Sequence, residues 1–309
     1  MVAASAPGKL ILFGEHAVVF GEPALSMAID LRTEVFARPH TEWLADGSSL
    51  KDEKYRYVRR AVEMAWKGGP LWLEIRSMIP LGCGLGSSAA VTVATLGVAT
   101  GLQGGSVQPE VIARNAFDIE HGVQGRASPI DTSTATHGSA ILVLKEARDG
   151  LLWKMEKGDR HWFIHHRDLP PIRLVIGNTG IAAATGPLVE GVKRRVEEDD
   201  RAAAAIAEIG EIALEGLRAL GAKDFVRTGE LMNRNHALLN LLGVGHPLLD
   251  KFVTAARPYS YGAKLTGAGG GGSMVSLTDD PDRVRAAIEE VGGRAFIVET
   301  EPRGLEVRA

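Results

Sequence analysis

The sequence predicts an α+β fold in two domains, and three observations carry that expectation. A chain of 309 residues is long enough for two separate cores. Its last stretch reads strand, glycine loop, strand, helix, strand, a β-β-α-β run that lays helices on one face of a sheet. The pair Pro170-Pro171 punctuates the middle of the chain and sets a boundary between residues 1–169 and 170–309.

The elements follow in order. Leu10 to Phe13 is a short apolar strand, broken by Gly14 and answered by a second strand from Ala17 to Phe20, so Glu15 and His16 lie at the corner of a strand pair. Residues 24–38 continue as strand and 52–66 as helix; Leu71 to Ile75 is a strand that leads into a glycine-rich turn, and a small-residue helix covers 88–100. Pro109 suits a first helical turn, and Val111, Ile112, Ala116, Phe117 and Ile119 give that helix an apolar face ending near Gly122. Ser139 to Leu144 is a strand, whereas 145–168 is charged, dotted with aromatics and irregular.

The second half opens on a strand, Arg173 to Gly177, followed by helices over 186–220 and 224–241 and another from Pro247 to Ala256. Strands at 262–266 and 273–277, a helix at 281–291 and a strand at 295–299 complete the expected sandwich.

Composition excludes several functions. With 45% hydrophobic and 24% charged residues the chain is an ordinary globular one, and a net charge of −3 offers no field for nucleic acid. The basic run Lys193-Arg194-Arg195 meets Glu197, Glu198, Asp199 and Asp200 directly and reads as a solvated helix face. The only cysteine, Cys83, forms no internal disulfide, is taken as a filler of its loop, and suits a reducing, cytoplasmic setting. No run of 18 apolar residues or secretory leader is present, so neither export nor a membrane partner is expected.

Chemistry concentrates in three glycine-bearing segments, 7–21, 80–90 and 267–272. In the second, Gly82, Gly84 and Gly86 run into Ser87, Ser88 and a helix, the makings of an anion cradle: backbone N–H groups converge and the helix adds its positive end. No lysine follows the last glycine, so this is not a Walker loop. The third segment matches Gly-x-Gly-x-x-Gly but lies between two strands, so a dinucleotide site fails its context. It fits a loop passing close to a ligand or to another glycine loop.

Taken together, the run from Pro7 to Gly21, the loop from Pro80 to Ala90 and the run from Lys264 to Gly272 resemble the three ordered motifs of the GHMP kinases, nearest to the shorter, archaeal-type members that phosphorylate mevalonate. The resemblance spans residue 5 to about residue 277. It implies a two-domain GHMP kinase fold, an N-terminal mixed α/β domain binding ATP phosphates and a C-terminal ferredoxin-like sandwich, with a cleft between them.

Residue by residue, the resemblance implies Asp131 and Lys9 at the reacting atoms and Ser88 and Glu120 on Mg²⁺. It implies Gly82, Gly84, Leu85, Gly86, Ser87 and Ser88 around the triphosphate of ATP. Glu15, His16, Thr185, Gly267 and Ala268 are the implied substrate contacts, His16 near the mevalonate carboxylate. A homodimer is the assembly expected. The chemistry agrees: phosphoryl transfer needs a metal at the β and γ oxygens, a cation for developing charge and an acceptor for the alcohol proton. Asp131 lies in a Ser/Pro-rich loop, 125–133, whose residues before the aspartate depart from a frequent family form; Ser273 stands where a cysteine is frequent. Another small-metabolite kinase of the family is a weaker fit, because Ala17 and Val18 follow Glu15-His16 where a galactokinase carries Asp-Tyr, and homoserine-kinase-like members lack the aspartate. A non-catalytic ligand sensor would be free to lose Lys9, Ser88, Glu120 or Asp131, and all four are present.

Overall fold

The structure is a computed structural model and describes residues 1–80, 82–125, 127–182 and 185–308. Leu81 of the second glycine segment and Arg126 of the segment before Asp131 lie outside the described residues. In the first half the order is β1 (Val2–Phe13), β2 (Ala24–Pro39), the short β3 (Leu44–Ala45) and β4 (Ser48–Ser49), α1 (Arg56–Ala65), β5 (Leu71–Ser77), α2 (Ser87–Leu102), α3 (Pro109–Gln124), α4 (Ile130–His137), β6 (Ala140–Leu144), β7 (Leu151–Lys157) and β8 (Arg160–Arg167). The second half runs β9 (Arg173–Asn178), α5 (Thr185–Glu198), α6 (Asp200–Gly221), α7 (Phe225–Leu241), α8 (Pro247–Ala256), β10 (Gly262–Thr266), β11 (Ser273–Leu277), α9 (Pro281–Glu290), β12 (Arg294–Glu299) and β13 (Glu306–Arg308).

The strands form two sheets, and the α+β class holds. In the larger, the long β2 is central: β1 runs along one edge, while β5 pairs with residues 33–39 and β6 with residues 24–27 on the other. The smaller sheet is antiparallel, in the order β10-β11-β9-β12. Its β-α-β-β-α-β connectivity is that of the expected ferredoxin-like sandwich. β1 is almost wholly buried because α2 and α4 of the first half and α6 of the second all pack on it. A strand covered on both faces reads as a continuous apolar run, which is why Leu10 to Phe13 shows no alternation. α2 is buried nearly all round from Ala89 to Ala99, and its Gly97 and Gly101 admit Leu305, Val307 and Val2 against its backbone.

Four expectations need correction. Residues 17–20 are a 3₁₀ turn and not a strand: Gly14, His16 and Gly21 all have positive φ, and Val18 N–H closes on the Gly14 carbonyl at 3.1 Å. The true partner of β1 is β2. Residues 145–168, expected to be irregular, hold the β7–β8 hairpin, in which Trp153, Met155, Trp162 and Ile164 pack with Phe117 while Lys154 and Glu156 face out. The helix expected over 186–220 is two, because Asp199 leaves helical geometry and its carboxylate accepts from Arg201 N–H to start α6. Asp131 belongs to a helix and not to a loop, in the first turn of α4, where its negative charge suits the positive helix end.

The end of the described chain also crosses back. Glu301 N–H donates to the Ala28 carbonyl (2.9 Å), Leu305 N–H to that of Thr136 (2.9 Å), and β13 pairs antiparallel with β1. Arg32 fastens this return, donating to the Ser5 and Gly304 carbonyls at 3.0 and 2.7 Å and pairing with Glu301 at 3.5 Å. Residues 306–308 therefore lie in the first sheet, although they follow the expected boundary at 169/170. No helix among the described residues is long and apolar enough to cross a membrane.

Candidate active site

The three glycine segments meet. Lys9 on β1 sits against the second of them: its N–H donates to the Leu85 carbonyl at 3.0 Å and its Nζ to the Gly84 carbonyl at 3.1 Å. Gly86 turns the loop into α2 at φ 76°, and a Cβ there would come within 2.8 Å of Lys9 Cγ, so a side chain would displace the lysine. The third segment passes over the same loop. Ser273 Oγ donates to the Cys83 carbonyl at 2.9 Å, and a Cβ built on Gly84 would lie 4.0 Å from Gly267 Cα. α2 begins at Ser87, and its first N–H groups have no intrahelical partners, which leaves an anion-binding end at the floor of the turn.

Beside this turn lie the ionisable groups. Lys9 Nζ stands 3.0 Å from Asp131 Oδ1; the lysine is buried and the aspartate side chain 29% exposed, so one partner is held and the other faces the cleft. Ser88 Oγ donates to Glu120 Oε1 at 2.7 Å. Burial, and next the negative charge of Asp131, push the Glu120 carboxyl up to about 7. The Ser88 hydroxyl and the buried Glu120 carboxylate are adjacent hard oxygen donors, the kind a divalent ion such as Mg²⁺ takes. Among the described residues no group of three or more His, Cys, Asp or Glu could hold a metal ion.

The raised Glu120 carboxyl has a testable consequence for stability. A carboxyl that holds its proton more tightly folded than unfolded adds stability below its unfolded value of 4.5 and loses it as pH rises towards 7. For the protein without nucleotide or metal, unfolding free energy should fall across that window by at most about 3 kcal/mol, at 1.36 kcal/mol per pKa unit. Urea unfolding at about pH 5 and about pH 8 measures the slope, and Glu120→Gln should flatten it. A slope that survives in the variant would assign it to another group.

Glu15 and His16 line the same cleft but are differently engaged from what the sequence suggests. The Glu15 carboxylate is fully enclosed and paired with Lys264 of β10, which also donates to the Leu265 carbonyl at 2.8 Å. Burial pushes the Glu15 carboxyl up against the pull of that lysine. His16 is buried, and its Nε2 meets the Ala268 carbonyl at 2.9 Å. A carbonyl only accepts, so Nε2 carries a proton, and burial lowers the imidazole pKa against the pull of that hydrogen bond. Thr185, at the start of α5, lines the cleft with Gly267 and Ala268.

Of the residues singled out in the sequence, Lys9, Glu15, His16, Gly84, Glu120, Asp131, Thr185, Gly267 and Ala268 line one cleft, while Gly82, Leu85 and Gly86 lie in the glycine turn and Ser87 and Ser88 open α2 after it. Sequence reasoning missed three others. Lys264 stands in a recognised motif, but its partner lies 249 residues away. Ser273 drew notice only as standing where a cysteine is frequent, yet its hydroxyl ties the strand after the third glycine segment to the second. Lys193 was read as part of a solvated face, and it lines the cleft. The signal was there: Thr185, Val189 and Lys193 are four apart and share one stripe of a helix.

Comparison with known proteins gives the same picture over nearly the whole chain. The GHMP kinases N terminal domain matches residues 55–139, and the GHMP kinases C terminal domain matches residues 213–297. The mevalonate kinase of Thermococcus onnurineus is 36% identical across 99% of this chain and 98% of its own length. That of Pyrococcus abyssi shows the same identity and coverage. The crystal structure of L. major mevalonate kinase in complex with R-mevalonate superposes with a TM-score of 0.81 at 25% identity, covering 97% of this chain and 96% of that one.

Proposed function

The chain belongs to the mevalonate kinases of the GHMP kinase family, of the archaeal type, and from that membership we propose that this cleft carries the transfer with Lys9 and Asp131 at the reacting atoms. The reaction is ATP-dependent phosphorylation of the primary 5-hydroxyl of (R)-mevalonate to 5-phosphomevalonate, a step of isoprenoid biosynthesis. The observation that supports the assignment of roles is the Lys9–Asp131 pair, 3.0 Å apart, beside the turn that opens α2.

In this reading residues 1–169 supply the phosphate cradle and residues 170–309 the opposite wall. The 82–88 backbone and the α2 N-terminus bind the triphosphate. Asp131 accepts a hydrogen bond from the mevalonate 5-hydroxyl and aims its oxygen at the γ-phosphorus. As the new O–P bond forms and the bond to the β–γ bridging oxygen breaks, the hydroxyl proton passes to Asp131 and on to solvent, which its exposed side chain reaches. Lys9, fixed by the Gly84 carbonyl, offsets negative charge on the transferring group. Ser88 and Glu120 would hold Mg²⁺, which when bound neutralises charge on the β and γ phosphates. The lone, buried Cys83 supports a reducing, cytoplasmic setting.

ADP release measured against mevalonate, phosphomevalonate, homoserine and galactose tests the substrate. We expect turnover with mevalonate to exceed the others by orders of magnitude. A preference for any other acceptor would overturn the reading.

A further inference from the structure

Gly82, Gly84 and Gly86 of the glycine turn take φ of 71°, 72° and 76°, and glycine is the residue least held by its own sterics, so the turn must be held from outside. Three consecutive carbonyls take that hold. Those of Gly84 and Leu85 accept from Lys9, through Nζ at 3.1 Å and the backbone N–H at 3.0 Å, and that of Cys83 accepts from Ser273 Oγ at 2.9 Å. In a trans peptide the C=O and the following N–H point in opposite directions. Each anchored carbonyl therefore turns the N–H of Gly84, Leu85 or Gly86 away from its anchor.

Lys9 holds two of the three, but the first depends on a side chain of the second half, and that side chain is itself oriented. Asn178 and Ser273 stand opposite each other on β9 and β11. Asn178, buried, donates through Nδ2 to Ser273 Oγ at 3.2 Å and to the Gly272 carbonyl at 3.1 Å, and its Oδ1 accepts from Gly180 N–H at 2.9 Å. That last bond fixes the amide, because a backbone N–H only donates. The Cys83 carbonyl only accepts, so the single Ser273 hydroxyl proton goes to it while the serine oxygen takes the amide N–H. Ser273 is wholly buried, and solvent does not reach it to replace a lost bond.

Resting on the mevalonate kinase reading, we propose that Ser273, oriented by Asn178, is a positioning residue of the nucleotide site: by holding the Cys83 carbonyl it aims the Gly84 N–H at the ATP triphosphate. Strands of the second half thereby set the shape of the phosphate cradle in the first.

The test measures kcat and the KM values for ATP and mevalonate in the wild type, Ser273→Ala, Ser273→Cys, Asn178→Asp and the double variant Ser273→Ala/Asn178→Asp. Ser273→Ala should raise the KM for ATP on the order of 10-fold, the effect of one buried hydrogen bond, with the KM for mevalonate unchanged and kcat within a few-fold. Ser273→Cys keeps a weak donor and should recover part of the loss. Asn178→Asp keeps the shape and the Gly180 bond but presents an acceptor to Ser273, drawing its proton off Cys83. It should match Ser273→Ala and add nothing in the double variant. A Ser273→Ala enzyme whose KM for ATP stays within two-fold, a rise shared equally by both substrates, or no recovery in Ser273→Cys overturns the proposal, and additive effects of the two substitutions overturn the role of Asn178. Failure of the wild type to phosphorylate mevalonate with ATP would instead overturn the reading beneath it, and is seen before any variant is made.

Discussion

Replacing Asp131 with Asn lowers turnover by a factor on the order of 10² to 10⁴, the range assigned to a positioned acid or base, and leaves ATP binding nearly unchanged. Asn keeps the size of the side chain and one acceptor oxygen, so the first turn of α4 is undisturbed. It removes the charge that pairs with Lys9 at 3.0 Å and the capacity to take up a proton. The phosphate cradle does not depend on it: Lys9 remains held by the Gly84 carbonyl, and the 82–88 turn by its own backbone and by Ser273. Single-turnover measurements with mevalonate, beside nucleotide titration, separate the two effects. Turnover within a few-fold of the wild type would remove Asp131 from the chemistry, and lost nucleotide binding would make its role structural.

The second large effect concerns stability. Lys264→Met should destabilise the fold by about 3–5 kcal/mol, because it strands the Glu15 carboxylate in a site where both side chains are completely buried. For a protein whose total stability is about 5–15 kcal/mol, that loss threatens solubility at ordinary temperature. The double variant Glu15→Gln/Lys264→Met removes both charges and should regain most of it. The comparison of single and double variants by urea unfolding isolates the ion pair from the packing of either side chain. If the single variant unfolds within about 1 kcal/mol of the wild type, the pair is screened or replaceable and contributes no such tie between the halves.

What the sequence made legible was local. The glycine turn before α2 could be read because its backbone chemistry is written in consecutive residues, and the gathering of Lys9, Ser88, Glu120 and Asp131 beside it was expected from their place in or near ordered motifs. Pairings across long separations could not be read: nothing near Glu15 announces Lys264, and nothing near Cys83 announces Ser273. The β7–β8 hairpin was obscured because its outward residues are charged, although Trp153 and Met155 alternate with Lys154 and Glu156 as a half-buried strand requires. Charge also concealed Lys193. A run of basic and acidic residues averages to a wet surface, and only the four-residue spacing from Thr185 shows that one member of the run faces inward.

The pairing of β13 with β1 has a consequence for how the chain is made. The strand that carries Lys9 leaves the ribosome well before residues 306–308, and its edge at Ala3 to Ser5 stays open until those residues have been synthesised. Until then the row of unpaired amides beside Ala3 to Ser5 is a template for another strand, and a nascent chain halted short of its return exposes it to its neighbours.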